Sequence, residues 1–159
     1  MNCVEPVGPE HSADEIIDLM FLAHSRGAIY SGVMRRINFP GAPMEKEGMI
    51  SELEMAKLVA VSRLIMGDIP RAHCTHEPNS ASLITGANLF FPEVGSSPRD
   101  AIADTREGRG KGLGQCREMQ SEMGWNPDLP SNCFDQVFEG LGGVAGEGYP
   151  ERGPERRSL

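Results

Sequence analysis

The sequence predicts an α/β domain in which parallel strands alternate with helices, and two observations predict it. Capping boxes and helix-ending glycines mark out segments whose apolar residues recur at helical spacing. Short apolar segments lie between these helices, and three of them follow closely on a helix-ending glycine, as expected of an αβ loop. Strands that alternate with helices indicate βαβ units and therefore a parallel sheet.

Four helices are predicted. Two of them begin with a capping box, in which a serine is followed three residues later by a glutamate. A glycine ends each helix, because glycine adopts the backbone conformation of a helix stop at little cost. The predicted helices run from Ser12 to Gly27, from Ser51 to Gly67, from Asn79 to Gly86, and through Leu113, Cys116, Met119 and Met123 to Gly124.

Four strands are predicted between and before these helices. Three are the segments "AIYSGVM" from Ala28, "IPRAHCT" from Ile69 and "NLFFPEV" from Asn88. The first residues, "NCVEPVG", have the character of the end of a further strand whose beginning is absent. The chain is therefore expected to be a fragment.

The composition of the chain argues against several classes of function. A net charge of -8 argues against nucleic-acid binding, because phosphate contacts need a clustered basic surface. With neither a long apolar run nor a signal peptide, we expect a cytoplasmic protein that does not enter the membrane. The stretch from Glu139 is too rich in glycine and proline to build a core, so residues 1–138 form the domain and 139–159 a disordered tail.

The four cysteines are far apart in the chain: Cys3, Cys74, Cys116 and Cys133. No pair has the close spacing of a zinc knuckle or a redox motif, and no secretion signal favours disulfides. Free thiols and no metal site are therefore predicted.

Charged residues and a proline follow the apolar part of every predicted strand. Because active sites of parallel α/β folds lie at the carboxyl ends of the strands, the following residues are expected to share one face: Glu5, Arg36, Glu77 and Glu93. Any one of them alone is more simply explained as a solvated loop start. Four in succession favour a site.

Several motifs occur in an order that one enzyme family shares. A turn at 41–44 precedes a helix that ends in 59–63, and "ITGANLFF" places Gly86, Ala87 and Asn88 at a strand entry. These motifs resemble the later half of biotin synthase-like radical SAM enzymes, over residues 3–127. Within that family, "CVEPVGPEH", "MRR", "CTHEP", "GANLFFPEVGSSPRD" and "REGRGKGL" look most like the radical SAM proteins that accompany iron-only hydrogenase and help to make its iron-guanylylpyridinol cofactor.

The resemblance implies the C-terminal part of a (β/α)8 TIM-type barrel. It also implies that a 4Fe-4S cluster reductively cleaves S-adenosylmethionine, and that the resulting 5'-deoxyadenosyl radical abstracts hydrogen from a small-molecule substrate. Three closely spaced cysteines hold that cluster in the family, and this chain lacks them. The chain alone is therefore expected to be inactive.

The resemblance also implies contacts with S-adenosylmethionine. Gly8 alone represents the family's glycine-rich strand near the adenosine, and Glu5 stands where biotin synthases tend to have a small residue. The arginine with which biotin synthases ligate their auxiliary 2Fe-2S cluster has no clear match, so sulfur insertion is not expected.

Alternation along the second strand separates two sets of side chains. If Ile29 and Val33 face the helices, Met34 and Arg36 point inward. Arg36 then suits a carboxylate of S-adenosylmethionine or of substrate, and Met34 lies near the cofactor. Alternatively, Arg36 forms an ion pair with Glu5 or Glu77.

The stretch "HCTHE" raises the question of a metal site. Strand alternation places His73 on one side of the strand and Cys74 and His76 on the other, so the potential ligands do not converge. Substrate contact is favoured instead: His73 or His76 hydrogen-bonds a polar substrate, and Glu77 orients it or accepts a proton. Structural hydrogen bonding is the close alternative for the histidines, and a packed thiol is the simplest reading of Cys74.

Two functional hypotheses follow. In the first, the chain is the substrate side of a radical SAM enzyme for cofactor biosynthesis, truncated or encoded separately. In the second, it is an inactive half-barrel scaffold or binding module. A half-barrel leaves strand edges open, so either the missing N-terminal half or a second copy is the expected partner.

Overall fold

The computed structural model describes residues 2–38, 40–70, 72–76, 78–92 and 111–128, all of which belong to one compact unit, Met1–Leu129. Strands and helices alternate as the sequence predicts. In chain order the elements are β1 (Asn2–Val7), α1 (Ala13–Ser25), β2 (Tyr30–Arg35), a 3-10 turn (Glu45–Glu47), α2 (Glu52–Met66), β3 (Ala72–Thr75), α3 (Ser80–Ile84), β4 (Leu89–Phe90) and α4 (Leu113–Glu122). None of the helices among these residues is long and apolar enough to cross a membrane.

The four strands form one parallel sheet in the order β1-β2-β3-β4. Each βαβ crossover therefore moves in the same direction across the sheet, and crossovers of one hand place their helices on one face. Residues of both α1 and α2 accordingly pack into a single core with β1 and β2. A parallel α/β sheet is confirmed, and its layout is compatible with successive units of a TIM-type barrel. Closure into a barrel stays a prediction.

The predicted capping boxes of α1 and α2 are present in full. Ser12 Oγ accepts from Glu15 N at 3.2 Å, and Glu15 Oε2 accepts from Ser12 N at 2.8 Å. Ser51 and Glu54 repeat this exchange at 3.1 and 2.7 Å. Backbone hydrogen bonds from the two serines lower the pKa of both glutamates. These bonds satisfy N–H groups that the first helical turn leaves without partners.

The helix-covered face of the sheet carries the larger core. Its buried members come from β1, β2, α1, α2 and the loops before α2 and β4: Val7, Ile16, Met20, Val33, Ile50, Met55, Val59 and Ala87. Two buried serines, Ser31 of β2 and Ser62 of α2, share a hydrogen bond of 3.2 Å within the same layer.

Of the two aliphatic residues that were expected to face the helices from the second strand, only one does so. Val33 is fully buried in the core, as predicted, whereas Ile29 is 48% exposed. The prediction for Ile29 was wrong because β2 begins one residue later, at Tyr30, so Ile29 belongs to the connecting loop and not to the strand's alternation.

The opposite face of the sheet is also buried at its centre. Tyr30, Ala72 and Cys74 lie on it, and the Tyr30 hydroxyl donates to Cys74 Sγ at 2.7 Å. Cys74 and Cys116 are both buried free thiols. The side chains of Cys3 and Cys133 lie outside the described residues.

The last strand is shorter than predicted. β4 comprises Leu89–Phe90, whereas the apolar segment suggested up to seven residues. Phe90 packs with Leu83 of α3 and Cys116 of α4 in a second, smaller core. Burial raises the pKa of the Cys116 thiol, which favours its neutral form.

Strand β1 contains a register irregularity. Val4 pairs with Val33, but Val7 pairs with Arg35, so three steps along β1 match two along β2. The extra residue returns Val7 to the helix-covered face, where it joins the core. The predicted boundary at residue 138 and the predicted tail, 139–159, lie outside the described residues.

Candidate functional site

Two loops meet at the carboxyl edge of the sheet, where the sequence places the site. Residues 8–12 connect β1 to α1, and residues 36–51 connect β2 to α2. The Arg36 N–H donates to Val7 O at 2.8 Å, which fixes the start of one loop against the start of the other. Because parallel strands end at one edge, the side chains of both loops come together there.

Arg36 is the centre of this edge. Its guanidinium makes a two-pronged ion pair with the Glu10 carboxylate, with Nη1 donating to Oε1 and Nη2 donating to Oε2 at 2.9 Å. Nη2 also donates to Gly48 O at 3.0 Å, and Nε donates to Asn38 Oδ1 at 3.4 Å. The Arg36 side chain is only 15% exposed. One cation thus holds the beginnings of both loops and the residue that follows the 3-10 turn.

The ion pair fixes the charge of both partners. The hydrogen bonds from Arg36 lower the pKa of Glu10 to about 2, and the Glu10 carboxylate raises the pKa of Arg36. Glu10 therefore stays ionised under all ordinary conditions. Planar, two-pronged contact with a carboxylate is the geometry for which an arginine is suited and a lysine is not.

The loop between β2 and α2 is braced by its own hydrogen bonds. Asn38 Nδ2 donates to Glu45 O at 2.9 Å, and the Gly41 N–H donates to Glu45 Oε2 at 3.0 Å. Asn38 thereby connects the guanidinium of Arg36 to the backbone of the 3-10 turn. The loop that contacts the Arg36 guanidinium is therefore itself stabilised by internal hydrogen bonds.

Gly8 makes the ion pair possible. A Cβ on this buried glycine would overlap the guanidinium of Arg36 and the carboxylate of Glu10. The family resemblance implies that Gly8 contacts adenosine, and in this structure the chain's own ion pair fills the space on that side of Gly8. A ligand contact of Gly8 stays a prediction.

Met34 and Arg36 differ in their surroundings. Met34 is half-buried, and strand alternation places it on the face opposite Val33, as predicted. Arg36 lies beyond the last residue of β2 and reaches across to Glu10. Its predicted alternative partners were Glu5 and Glu77, and the partner found is Glu10.

The two histidines of "HCTHE" lie on opposite faces of the sheet. His73 is paired with Ser31 in register and is buried on the helix-covered face, whereas His76 stacks on Phe91 with ring centroids 4.7 Å apart. Phe91 also meets Tyr30 edge to face at 6.1 Å. The structure therefore does not bring His73 together with His76 or with Arg36.

His73 is held through its backbone. Its N–H donates to Asn88 Oδ1 at 2.8 Å, and its carbonyl accepts from Asn88 N at 2.9 Å. Its ring Nε2 is buried and has no hydrogen-bond partner in the part of the chain that the structure describes. Burial, assisted by the nearby charge of Arg63, lowers the pKa of His73 to about 4. His73 is therefore a neutral, packed side chain at physiological pH.

The remaining predicted site residues are not tested. Glu77 and Glu93 lie outside the described residues, and only the backbone of Glu5 is described. Their predicted convergence with Arg36 on one face stays a prediction.

Sequence reasoning missed Glu10, His11, Asn38 and Gly48 as members of this edge. Each follows a strand end by several residues, whereas the prediction considered only charged residues at or directly after each strand end. Glu10 and His11 were visible in "VEPVGPEH", directly after the glycine that the resemblance singled out. The one signal for these residues was their position in a loop that follows a strand. No local sequence pattern shows which residue of such a loop folds back to contact the strand end.

The described residues do not suit an iron-sulfur cluster. Among them, no group of three or more His, Cys, Asp or Glu side chains is arranged to hold a metal ion. The buried thiols Cys74 and Cys116 belong to separate parts of the packing, one on the face opposite the helices and one in the small core of α3 and α4.

Comparison with protein-family models, with curated proteins and with solved structures finds no match to this chain. The family resemblance of the sequence therefore stays a prediction.

Proposed function

We propose that this chain is the substrate side of a biotin synthase-like radical SAM enzyme of cofactor biosynthesis, of the type that accompanies iron-only hydrogenase, and that it acts in the cytoplasm. One observation carries the proposal. A polar network centred on Arg36 lies at the carboxyl edge of a parallel sheet whose strands follow one another in chain order. In parallel α/β folds that edge is where substrates bind.

Arg36 is the residue that would bind an anionic substrate. Its guanidinium already makes the two-pronged contact that a substrate carboxylate requires, with Glu10 as the present acceptor. A substrate carboxylate would therefore bind by taking the place of Glu10. On the face away from the helices, the stacked rings of His76 and Phe91 offer a surface for a flat substrate.

The cofactors of the proposed enzyme are S-adenosylmethionine and a 4Fe-4S cluster. The cluster would supply the electron that cleaves S-adenosylmethionine to the 5'-deoxyadenosyl radical. Since the described residues do not suit a cluster, its ligands belong to the other part of the enzyme in this proposal. The N-terminal half-barrel is accordingly the proposed partner, with a second copy of the chain as the alternative.

Complementation tests this proposal. The full chain is produced together with the N-terminal half of an iron-only hydrogenase-associated radical SAM protein, reconstituted with iron and sulfide, and reduced with dithionite. We expect 5'-deoxyadenosine from the two halves together and none from this chain alone, because its cysteines lack the cluster spacing. Catalytic turnover by the chain alone, or no turnover by a soluble complex of the two halves, would refute the proposal.

Variants of the assembled enzyme separate substrate contact from cluster binding. Glu77→Gln and His76→Ala are expected to lower substrate turnover while the absorbance of the cluster is retained. His24→Ala is the matched control, because His24 lies in the last turn of α1, at the opposite end of the βα unit. Loss of cluster absorbance in either test variant would instead assign a structural or ligand role.

A specific observation also favours the second candidate, a scaffold or binding module without chemistry. Arg36 has Glu10, Gly48 and Asn38 as partners, so its hydrogen-bonding capacity is largely used within the chain. Arg36→Gln decides between the candidates. A scaffold predicts no turnover by the complex of the two halves and only lower thermal stability in this variant, whereas the substrate-side proposal predicts turnover with a raised KM for substrate.

A further inference from the structure

One ring nitrogen of His11 faces a hydrogen-bond donor and two acceptors at the same time. Nδ1 lies 3.1 Å from the Gly8 backbone nitrogen and 3.2 Å from the Gly8 carbonyl oxygen. It also lies 3.5 Å from Glu10 Oε1. His11 is partly exposed, so protons reach it from solvent.

The protonation state of His11 decides which of these contacts exists. Neutral His11 with its proton on Nε2 accepts the Gly8 N–H at Nδ1. Protonated His11 has a hydrogen on Nδ1 and can no longer accept, so this hydrogen bond is lost and the Gly8 N–H is released. The Nδ1–H group of protonated His11 then has two acceptors nearby, Gly8 O and Glu10 Oε1.

Glu10 Oε1 is the same oxygen that accepts from Arg36 Nη1. A protonated His11 adds a second charged donor to this oxygen, which weakens its hold on Arg36, and it repels the guanidinium as a second positive charge. The described charged groups around them are Glu10 and Glu15 on the side of α1, with Arg36 and Glu47 on the side of the β2–α2 loop. The Glu15 carboxylate attracts protonated His11, and the Glu47 carboxylate attracts Arg36.

We propose that His11 is a proton-operated latch on Arg36: neutral His11 leaves Glu10 to Arg36, and protonated His11 loosens that ion pair. Loosening presents a guanidinium at the carboxyl edge, ready for an anionic ligand. The latch depends only on contacts within these two loops and goes beyond the proposed radical SAM chemistry, which it neither needs nor tests.

Chemical footprinting of the full chain tests the latch without requiring a particular oligomeric state. Deuterium exchange at the histidine ring carbon, read by mass spectrometry, gives the pH range over which His11 itself is protonated. Phenylglyoxal labelling, read the same way, reports the accessibility of Arg36 relative to Arg26, which is exposed and serves as the internal reference for the reagent's own pH dependence.

As the pH falls through the range in which His11 is protonated, the Arg36-to-Arg26 labelling ratio should rise about two- to fivefold, the population change expected when one ion pair is weakened. Backbone exchange of the peptide that contains Gly8, corrected for the intrinsic pH effect, should increase over the same range. In His11→Gln both changes should vanish, and in the control His24→Gln both should persist. A constant labelling ratio in the native chain, or an unchanged rise in His11→Gln, would overturn the latch.

Discussion

Gly8 matters at the scale of single residues because two charged groups occupy the place of its missing side chain. In Gly8→Ala the added methyl group meets the guanidinium of Arg36 and the carboxylate of Glu10, which must move apart. Because both groups are the ends of flexible side chains that can shift, we expect a loss of stability smaller than the loss of about 1–3 kcal/mol in an overpacked core, and a faster labelling of Arg36. Urea unfolding followed by circular dichroism measures the first effect.

Gly114→Ala is the matched control for this substitution. Gly114 lies within α4, and a Cβ added there meets no other atom within 4 Å. Alanine is the better helix former, so this variant should be stabilised by up to about 1 kcal/mol. Equal behaviour of the two variants would contradict the role given to Gly8.

His73 makes the stability of the fold sensitive to acid. Its pKa in the folded state is about 4, below the ordinary value of 6.5, so the unfolded chain binds a proton first as the pH falls. Stability is therefore full above pH 6.5 and declines as the pH falls from 6.5 towards 4, in total by about 3 kcal/mol if one pKa unit corresponds to about 1.4 kcal/mol.

Glu10 adds a second loss of stability at lower pH. Its pKa is lowered from 4.5 to about 2 by Arg36, so its contribution is full above pH 4.5 and declines as the pH falls from there. Urea midpoints measured from pH 8 to pH 3 should show both steps. In His73→Phe the slope between pH 6.5 and 4 should flatten while the step below pH 4.5 remains, and a retained upper slope would assign it to another group.

At the scale of elements, the starts of the helices were predictable because their cause is local. Ser51 and Glu54 are three residues apart and satisfy each other's backbone N–H groups without help from the rest of the fold. Ser51→Ala should cost about 1 kcal/mol of stability, since α2 covers the centre of the sheet, and Ser51→Thr should restore most of it. Thermal unfolding measures both, and equal transition temperatures for the alanine and threonine variants would show that the cap does not stabilise α2.

Features that depend on distant parts of the chain were harder to predict. Arg36 pairs with Glu10, which lies 26 residues earlier in the chain. This contact depends on the tertiary fold, and no local sequence pattern predicts it. Strand alternation correctly separated His73 from Cys74 and His76, but the burial of His73 on the helix-covered face depends on how the helices pack. The predicted length of β4 was wrong because an apolar run indicates that a strand exists but does not show how many of its residues pair with a neighbouring strand.

At the scale of the whole molecule, exposed apolar side chains predict association. Those among the described residues that are more than half exposed come from α1, α2, α3, α4 and the segment after α4: Phe21, Leu22, Leu53, Leu64, Ile84, Leu113 and Trp125. Within the described sheet, β1 and β4 are edge strands. We expect the chain alone to form a homodimer, a molten state or larger aggregates.

Sedimentation equilibrium at several concentrations, combined with thermal unfolding, tests this prediction. A monomer that is independent of concentration and unfolds in one sharp transition would contradict it. A second variant isolates the contribution of one surface. Leu22→Glu places a charge in a depression of about 310 Å³ formed by α1 and the segment that leads to β2. This variant should associate more weakly if the surface around Leu22 is part of the contact between copies.

The irregular register of β1 has a consequence for how the chain can tolerate length changes. Because one residue between Val4 and Val7 is in excess, deleting Pro6 would remove the irregularity and leave Val7 opposite Arg35 in a regular register. Val7 would then keep its face in the core, and Gly8 would keep its place beside the ion pair of Arg36 and Glu10. An insertion at the same place would instead require a second unpaired residue or would move Val7 and Gly8 along β2. This stretch should therefore tolerate the loss of one residue better than the gain of one.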